Sequence, residues 1–228
     1  SEQVTLTDLD SFGSDITISL TSQDIVATDV VAGAAGNIVL TTTTSGDITL
    51  GTVTADVDDI FVNSAGNITE AAGTATADTL KLDSATGVGV SNTPITTDVA
   101  TLSARASASG GVFVAENDAL IIGTVDGLVG IDSSADNGDI EITASGLTIS
   151  QVVNAGNGGI SLIPNTNGTT IAINDAAGTF SLTEAELLLL ASTGTVTIGV
   201  AGAGTGTMSI GSAGAIDLSG GTFSLSLV

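Results

Sequence analysis

Short apolar pairs of the form x, x+2 recur along this chain, at Ile18/Leu20, Ile38/Leu40, Ile60/Val62, Leu80/Leu82, Ala100/Leu102, Leu120/Ile122, Ile140/Ile142, Ile160/Leu162 and Phe180/Leu182. From Ile60 to Phe180 every step is 20 residues. Side chains alternate faces along an extended strand, so each pair marks the inward side of a short strand. A second series, Ile48/Leu50, Ile68 and Val88/Val90, keeps the same step, with Glu70 at what should be an inward position. Val112/Val114, Leu147/Ile149 and Ile171/Ile173 continue the pattern without fixed spacing, as turns of variable length would produce. Near the end, Val196/Ile198 precedes Ile216/Leu218 by 20, and Leu188/Leu190 precedes Met208/Ile210 by 20.

Many strands are introduced by Gly with Asn or Asp, as in Gly46-Asp47-Ile48, Gly66-Asn67-Ile68 and Gly138-Asp139-Ile140. These residues tolerate the backbone of a sharp corner. Strand, corner, strand, corner at a period near 20 predicts an all-β chain: a parallel β-helix, or β-solenoid, with coils of about 20 residues, residues 1–228 forming a single domain. A doubly wound α/β fold needs amphipathic helices of ten or more residues between strands, and no such pattern is visible. One segment, Thr183 to Ala191, offers two readings. Thr183 and Glu186 have the spacing of a helix capping box, whereas Leu188 and Leu190 fit the 20-residue ladder. The strand is preferred, which would turn Leu187 and Leu189 outward.

Composition narrows the core and the partners. Apolar residues make up 42% of the chain, but the only aromatics are five Phe, so the core is built from Ile, Leu, Val and Ala. Two basic residues, Lys81 and Arg105, face 25 acidic ones, a formal net charge of -23. Nucleic acid is excluded as a partner, because its binding needs clustered cations. The longest aliphatic run, Leu187 to Ala191, is far short of a spanning helix, and a membrane β-barrel would need aromatic girdles that a chain without Trp or Tyr lacks. No membrane insertion is expected. Ser1 to Asp10 contains neither a basic region nor an apolar run, so any secretion signal would have been removed or would lie upstream.

The Gly-Asn/Asp-Ile-x-Leu unit, the 20-residue period, and the segment Gly178 to Leu187 followed by Gly194 to Gly199 resemble the repeat regions of filamentous haemagglutinin-like bacterial surface proteins. The resemblance runs over most of the chain as a pattern; only Gly178 to Gly199 is more specific than any parallel β-solenoid requires. It implies a right-handed β-helix, secreted to the cell surface and used as a stalk, adhesin or extracellular fibre. It carries over no catalytic motif.

Catalysis has few instruments in a chain without His, Cys or Tyr. Lys81 and Glu141 lie between inward aliphatics and read as solvated charges on the outer face. Adjacent acids such as Asp58 and Asp59 could mimic a glycosidase carboxylate pair, but the aromatic and basic residues that hold sugars in such enzymes are almost missing. The expectation is a protein that is not an enzyme. Asp58, Asp78, Asp98 and Asp118 fall 20 apart, each two residues before its apolar pair. Stacked along one corner they would repel, so they read either as a calcium ladder of carboxylate oxygens or as turn caps accepting backbone N–H groups. The cap reading is preferred, and no cofactor is required.

The strand pattern is running at Val4 and Leu6 and again at Phe223, Leu225 and Leu227. Unpaired apolar strand edges at those positions would be templates for another strand, either adjacent repeats of a longer chain or a second copy added head to tail. A different class of partner, a cell-surface glycan or protein, would use the outer face; the outward residues Phe61, Lys81, Thr101, Ile121, Glu141, Ser161 and Ser181 show no stripe that names it.

Overall fold

A computed structural model of the protein describes residues 2–175, 178–200, 206–211 and 214–228. The chain is all-β, 55% strand and 2% helix, with a large sheet of twenty strands whose pairings are all parallel. Parallel pairing between strands one pass of the chain apart is consistent with a β-solenoid. The longest column stacks Val4, Ile25, Ile48, Ile68, Val88, Val112, Ile140, Ile160, Val196 and Leu225, at steps of 21, 23, 20, 20, 24, 28, 20, 36 and 29 residues. A second column runs Ile16, Ile38, Ile60, Leu80 and Leu102, and a third Leu9, Val30, Val53, Ala75 and Thr97.

Inside the columns the alternation holds. Ile38, Leu40, Ile60, Val62, Leu80 and Leu82 are fully buried, as are Ile142, Ile160 and Leu162. Each such side chain contributes about 1.5–3 kcal/mol by leaving water. The passes approach so closely that some corners admit only glycine. At Gly46, whose φ is +121°, a Cβ would lie 2.2 Å from the carbonyl oxygen of Gln23 on the preceding pass.

The register departs from a uniform 20-residue step in several places. Leu80 stacks on Leu102 rather than on Ala100, which is exposed, because this pass is 22 residues long. Ile140 does not follow Leu120: it stacks between Val112 and Ile160, whereas Leu120 pairs with Leu147. Val196 and Ile198 pair with Leu225 and Leu227, leaving Ile216 and Leu218 outside any strand though packed on the core. Phe180 and Leu182 are buried as expected, but against Ile171 and Ile173, which also pair with Met208 and Ile210. Insertions cause these shifts by lengthening a pass without altering the period-two pattern of its strands.

Thr183 to Ala191 is not one strand. The Thr183 hydroxyl accepts from the Glu186 N–H at 3.2 Å and the Glu186 carboxylate from the Thr183 N–H at 2.8 Å, a complete capping box on the short helix Glu184–Leu187. The strand Leu190–Ser192 follows. Leu187 is therefore buried, and Leu188, expected inside, is the exposed one. Local capping prevails because, among the described residues, no strand pairs with Thr183 to Leu189, whereas Phe180–Leu182 before it and Leu190–Ser192 after it are both held in register.

Candidate functional site

Many of the corner Asp and Asn side chains act between passes. Asp15 accepts from the N–H of Asn37 at 2.9 Å, and Asn37 in turn from Asp59 at 3.1 Å. Asp24 accepts from Asp47 at 3.0 Å, Asp47 from Asn67 at 2.7 Å, and Asp139 from Gly159 at 2.8 Å. A backbone donor left over where a strand begins is thus satisfied by the side chain one pass earlier. A matching column of hydroxyls, Thr42, Ser64 and Ser84, is buried at the far end of its strands and donates to turn carbonyls, Thr42 to Gly46 at 2.9 Å and Ser84 to Gly66 and Gly87 at 2.7 and 2.8 Å. The sequence reading missed that column. Its signal is a Ser or Thr three or four residues ahead of a turn Gly or Asn, as in Ser64-Ala-Gly-Asn67.

The four candidate ladder acids do not form one column. Asp58 and Asp78 lie on neighbouring passes, the Asp78 N–H donating to the Asp58 carbonyl at 2.8 Å. Asp98, however, stands opposite Thr76, two residues out of step, because the intervening pass is 22 residues long. Asp118 is exposed and its N–H donates to Glu116 at 3.2 Å. Among the described residues no group of three or more acidic side chains is placed to hold a metal ion. The four carboxylates therefore do not stack as one uninterrupted ladder.

Two glutamates occupy inward positions. Glu70 bonds the backbone N–H of Thr96 and accepts from its hydroxyl at 2.8 Å, which explains a carboxylate in an aliphatic series. Glu116 is 1% exposed and accepts from the Thr97 hydroxyl at 2.7 Å and from the backbone N–H groups of Val99 and Asp118. Burial pushes its carboxyl above the usual range, and these hydrogen bonds only partly oppose the shift.

The outer wall has two features. Thr124–Val125 and Leu128–Val129 form an antiparallel hairpin across an Asp126-Gly127 turn, the residue pair suited to such a turn. The Lys81 ammonium meets the Asp126 carboxylate at 2.7 Å and lies 6.0 Å from the centre of the Phe61 ring. Lys81 points outward, as its strand position requires, but is only 9% exposed rather than solvated. Arg105, the other cation, makes a two-pronged pair with Asp83 at 2.9 and 2.7 Å, which holds its guanidinium above its ordinary pKa. Farther along, Phe113, Glu141, Ser161 and Thr197 form an outward row across four strands and line a recess of about 260 Å³ with Ser91, Asp139, Gly159 and Thr195.

The edges are the remaining candidate. Gln3–Leu6 pairs only with Asp24–Ala27, and Ser224–Leu227 only with Thr195–Ile198, among the described residues. Val4, Leu6, Phe223, Leu225 and Leu227 are all half-buried at these two edges. No helix of the described residues is long and apolar enough to cross a membrane. Comparison with protein families, curated proteins and solved structures finds no match to the chain.

Proposed function

We propose that the chain is a right-handed parallel β-helix with coils of about 20 residues that serves as a non-enzymatic structural or adhesive element, a stalk or head-to-tail fibre on a bacterial cell surface. The observation that carries this reading is the parallel column of ten aliphatics stacked pass on pass from Val4 to Leu225, whose outermost strands, Gln3–Leu6 and Ser224–Leu227, each pair on one side only among the described residues. Such an edge is satisfied by another parallel strand, supplied by adjacent repeats of a longer chain or by a second copy. The sequence resemblance to filamentous haemagglutinin-like repeats supports the same reading and adds the extracellular setting.

Sedimentation velocity over a wide concentration range, beside negative-stain micrographs, tests axial assembly. The wild type should form oligomers or filaments, and the Leu225→Lys, Leu227→Lys double variant should remain monomeric with unchanged circular dichroism. A wild type that stays monomeric throughout would remove self-assembly. A second reading, glycan or protein binding by the outer face, is favoured by the recess around Glu141.

A further inference from the structure

The outward row Phe113, Glu141, Ser161 and Thr197 is concave for a reason visible in its residues. The neighbouring row is Asp139, Gly159 and Thr195, so between taller side chains on either side the middle pass contributes only Ser161 of the strand Ile160–Pro164 and Gly159 just before it. One wall is aromatic. The Phe113 ring lies over Gly111, where a Cβ would come within 2.7 Å of ring atom Cε2, so the glycine leaves room for the ring against the sheet. The other groups are two carboxylates and four hydroxyls, from Ser91, Ser161, Thr195 and Thr197.

The Glu141 carboxylate is half-buried and has no hydrogen-bond or ion-pair partner among the described residues. Its pKa is raised by burial alone, with no hydrogen bond to offset the lost water. Asp139 is engaged through one oxygen with the Gly159 N–H, leaving the other for a ligand. Neither basic residue of the chain serves this wall, since Lys81 is held by Asp126 and Arg105 by Asp83. An anionic ligand is repelled and a purely apolar one leaves Glu141 unserved. A simple alkylammonium would use the carboxylates but none of the hydroxyls. A sugar ring matches the rest, with an apolar face for Phe113 and hydroxyls for Ser161, Thr195 and Thr197.

We propose that this recess binds an N-deacetylated amino sugar, the ammonium paired with Glu141 and Asp139 and the apolar face of the sugar on the Phe113 ring. Thr195 and Thr197 lie on the strand next to the edge Ser224–Leu227, but the recess opens on the outer wall and uses no residue of either edge strand, so either reading can fail alone.

The test titrates glucosamine disaccharide, and separately its N-acetylated form, into the whole chain by heteronuclear NMR. The deacetylated disaccharide should shift the backbone amides of Gly159, Ser161 and Thr195, and bind at least tenfold more tightly than the acetylated one. Glu141→Gln should weaken it at least tenfold, while Asp78→Asn, which removes one exposed charge elsewhere, should leave affinity within twofold. Equal affinity for the two disaccharides, an unaffected Glu141→Gln, or an equal loss in Asp78→Asn would overturn the assignment. Phe113→Ala, checked for an unchanged amide spectrum away from the recess, should also weaken binding at least tenfold; unchanged affinity in that folded variant would remove the stacking role and overturn the sugar assignment.

Discussion

The Asp47 carboxylate accepts a hydrogen bond of 2.7 Å from the backbone N–H of Asn67, one pass farther along the chain. The Asn67 side-chain amide also reaches Asp47, at 3.3 Å. The residue just before one strand thereby satisfies the backbone donor just before the strand stacked on it, which accounts for the Gly-Asn/Asp-Ile unit. Asp47→Ala should cost about 1 kcal/mol, since the orphaned Asn67 donor regains some contact with water at an exposed corner. Asp47→Asn, which keeps an acceptor oxygen, should cost less than half of that. Urea unfolding of the two variants checks the order.

Face assignment is open to a sharper test at Ile140 and Glu141. Ile140 is 1% exposed between Val112 and Ile160, so Ile140→Asp places a charge without a partner in the aliphatic column. A loss of about 4 kcal/mol or more, or failure to fold, is expected. Glu141→Ser lies on the outer wall and should stay within about 0.5 kcal/mol of the wild type. Comparable losses at the two positions in urea titrations would show that the inward face is assigned wrongly.

The same two residues show what was legible in the sequence. Their alternation could be read because burial acts on neighbours two apart, and Ile60/Val62 and Leu80/Leu82 stack 20 residues apart as the spacing implied. Register was harder. Leu120 and Ile140 are also 20 apart, yet the insertion that carries the Thr124–Val129 hairpin places them in different columns. Spacing alone does not distinguish one full pass from the distance between two columns. The outer recess was hidden for a different reason: it arises from the small side chains of Gly159 and Ser161 between larger neighbours, which requires knowing the stacking partners. Lys81 was misjudged because its cover, Asp126, is 45 residues away.

That cover should be measurable. The Lys81 side chain is 11% exposed and Asp126 51%. Asp126→Asn removes the partner of a nearly buried ammonium and should cost about 1 kcal/mol, a value reduced by the access of water to Asp126. Lys81→Met in the Asp126→Asn background should recover most of the loss, because no unpaired charge then remains under the hairpin. A double variant less stable than Asp126→Asn in thermal melts would contradict this account.

Glu116 makes a prediction about pH. Its folded pKa is raised above the ordinary value of 4.5 by burial. The folded state therefore binds this proton more tightly than the unfolded one. Its stabilising contribution is complete below about pH 4.5 and is lost as pH rises through the folded pKa. Glu116→Gln removes that dependence while retaining an acceptor for Val99 and Asp118. The variant should be at least as stable as the wild type at pH 7 and lose ground to it on moving to pH 4, as read from paired urea titrations. An advantage of Glu116→Gln that grew toward low pH would reverse the sign and refute the assignment.

Salt should separate the proposed axial contact from the proposed sugar site. Copies of a chain with formal net charge -23 repel one another, and the edges at Gln3–Leu6 and Ser224–Leu227 offer aliphatics and backbone groups but no cation to offset the repulsion. The screening length falls from about 30 Å at 0.01 M salt to about 3 Å at 1 M. Added sodium chloride therefore weakens the repulsion between copies while leaving strand pairing and apolar burial in place. Sedimentation should show larger assemblies at 0.5 M than at 0.02 M. Binding of the glucosamine disaccharide should move the opposite way, because it depends on attraction between its ammonium and Glu141. Assemblies that dissolve as salt is added would mean that oppositely charged groups hold the copies together, and neither strand edge supplies such a pair.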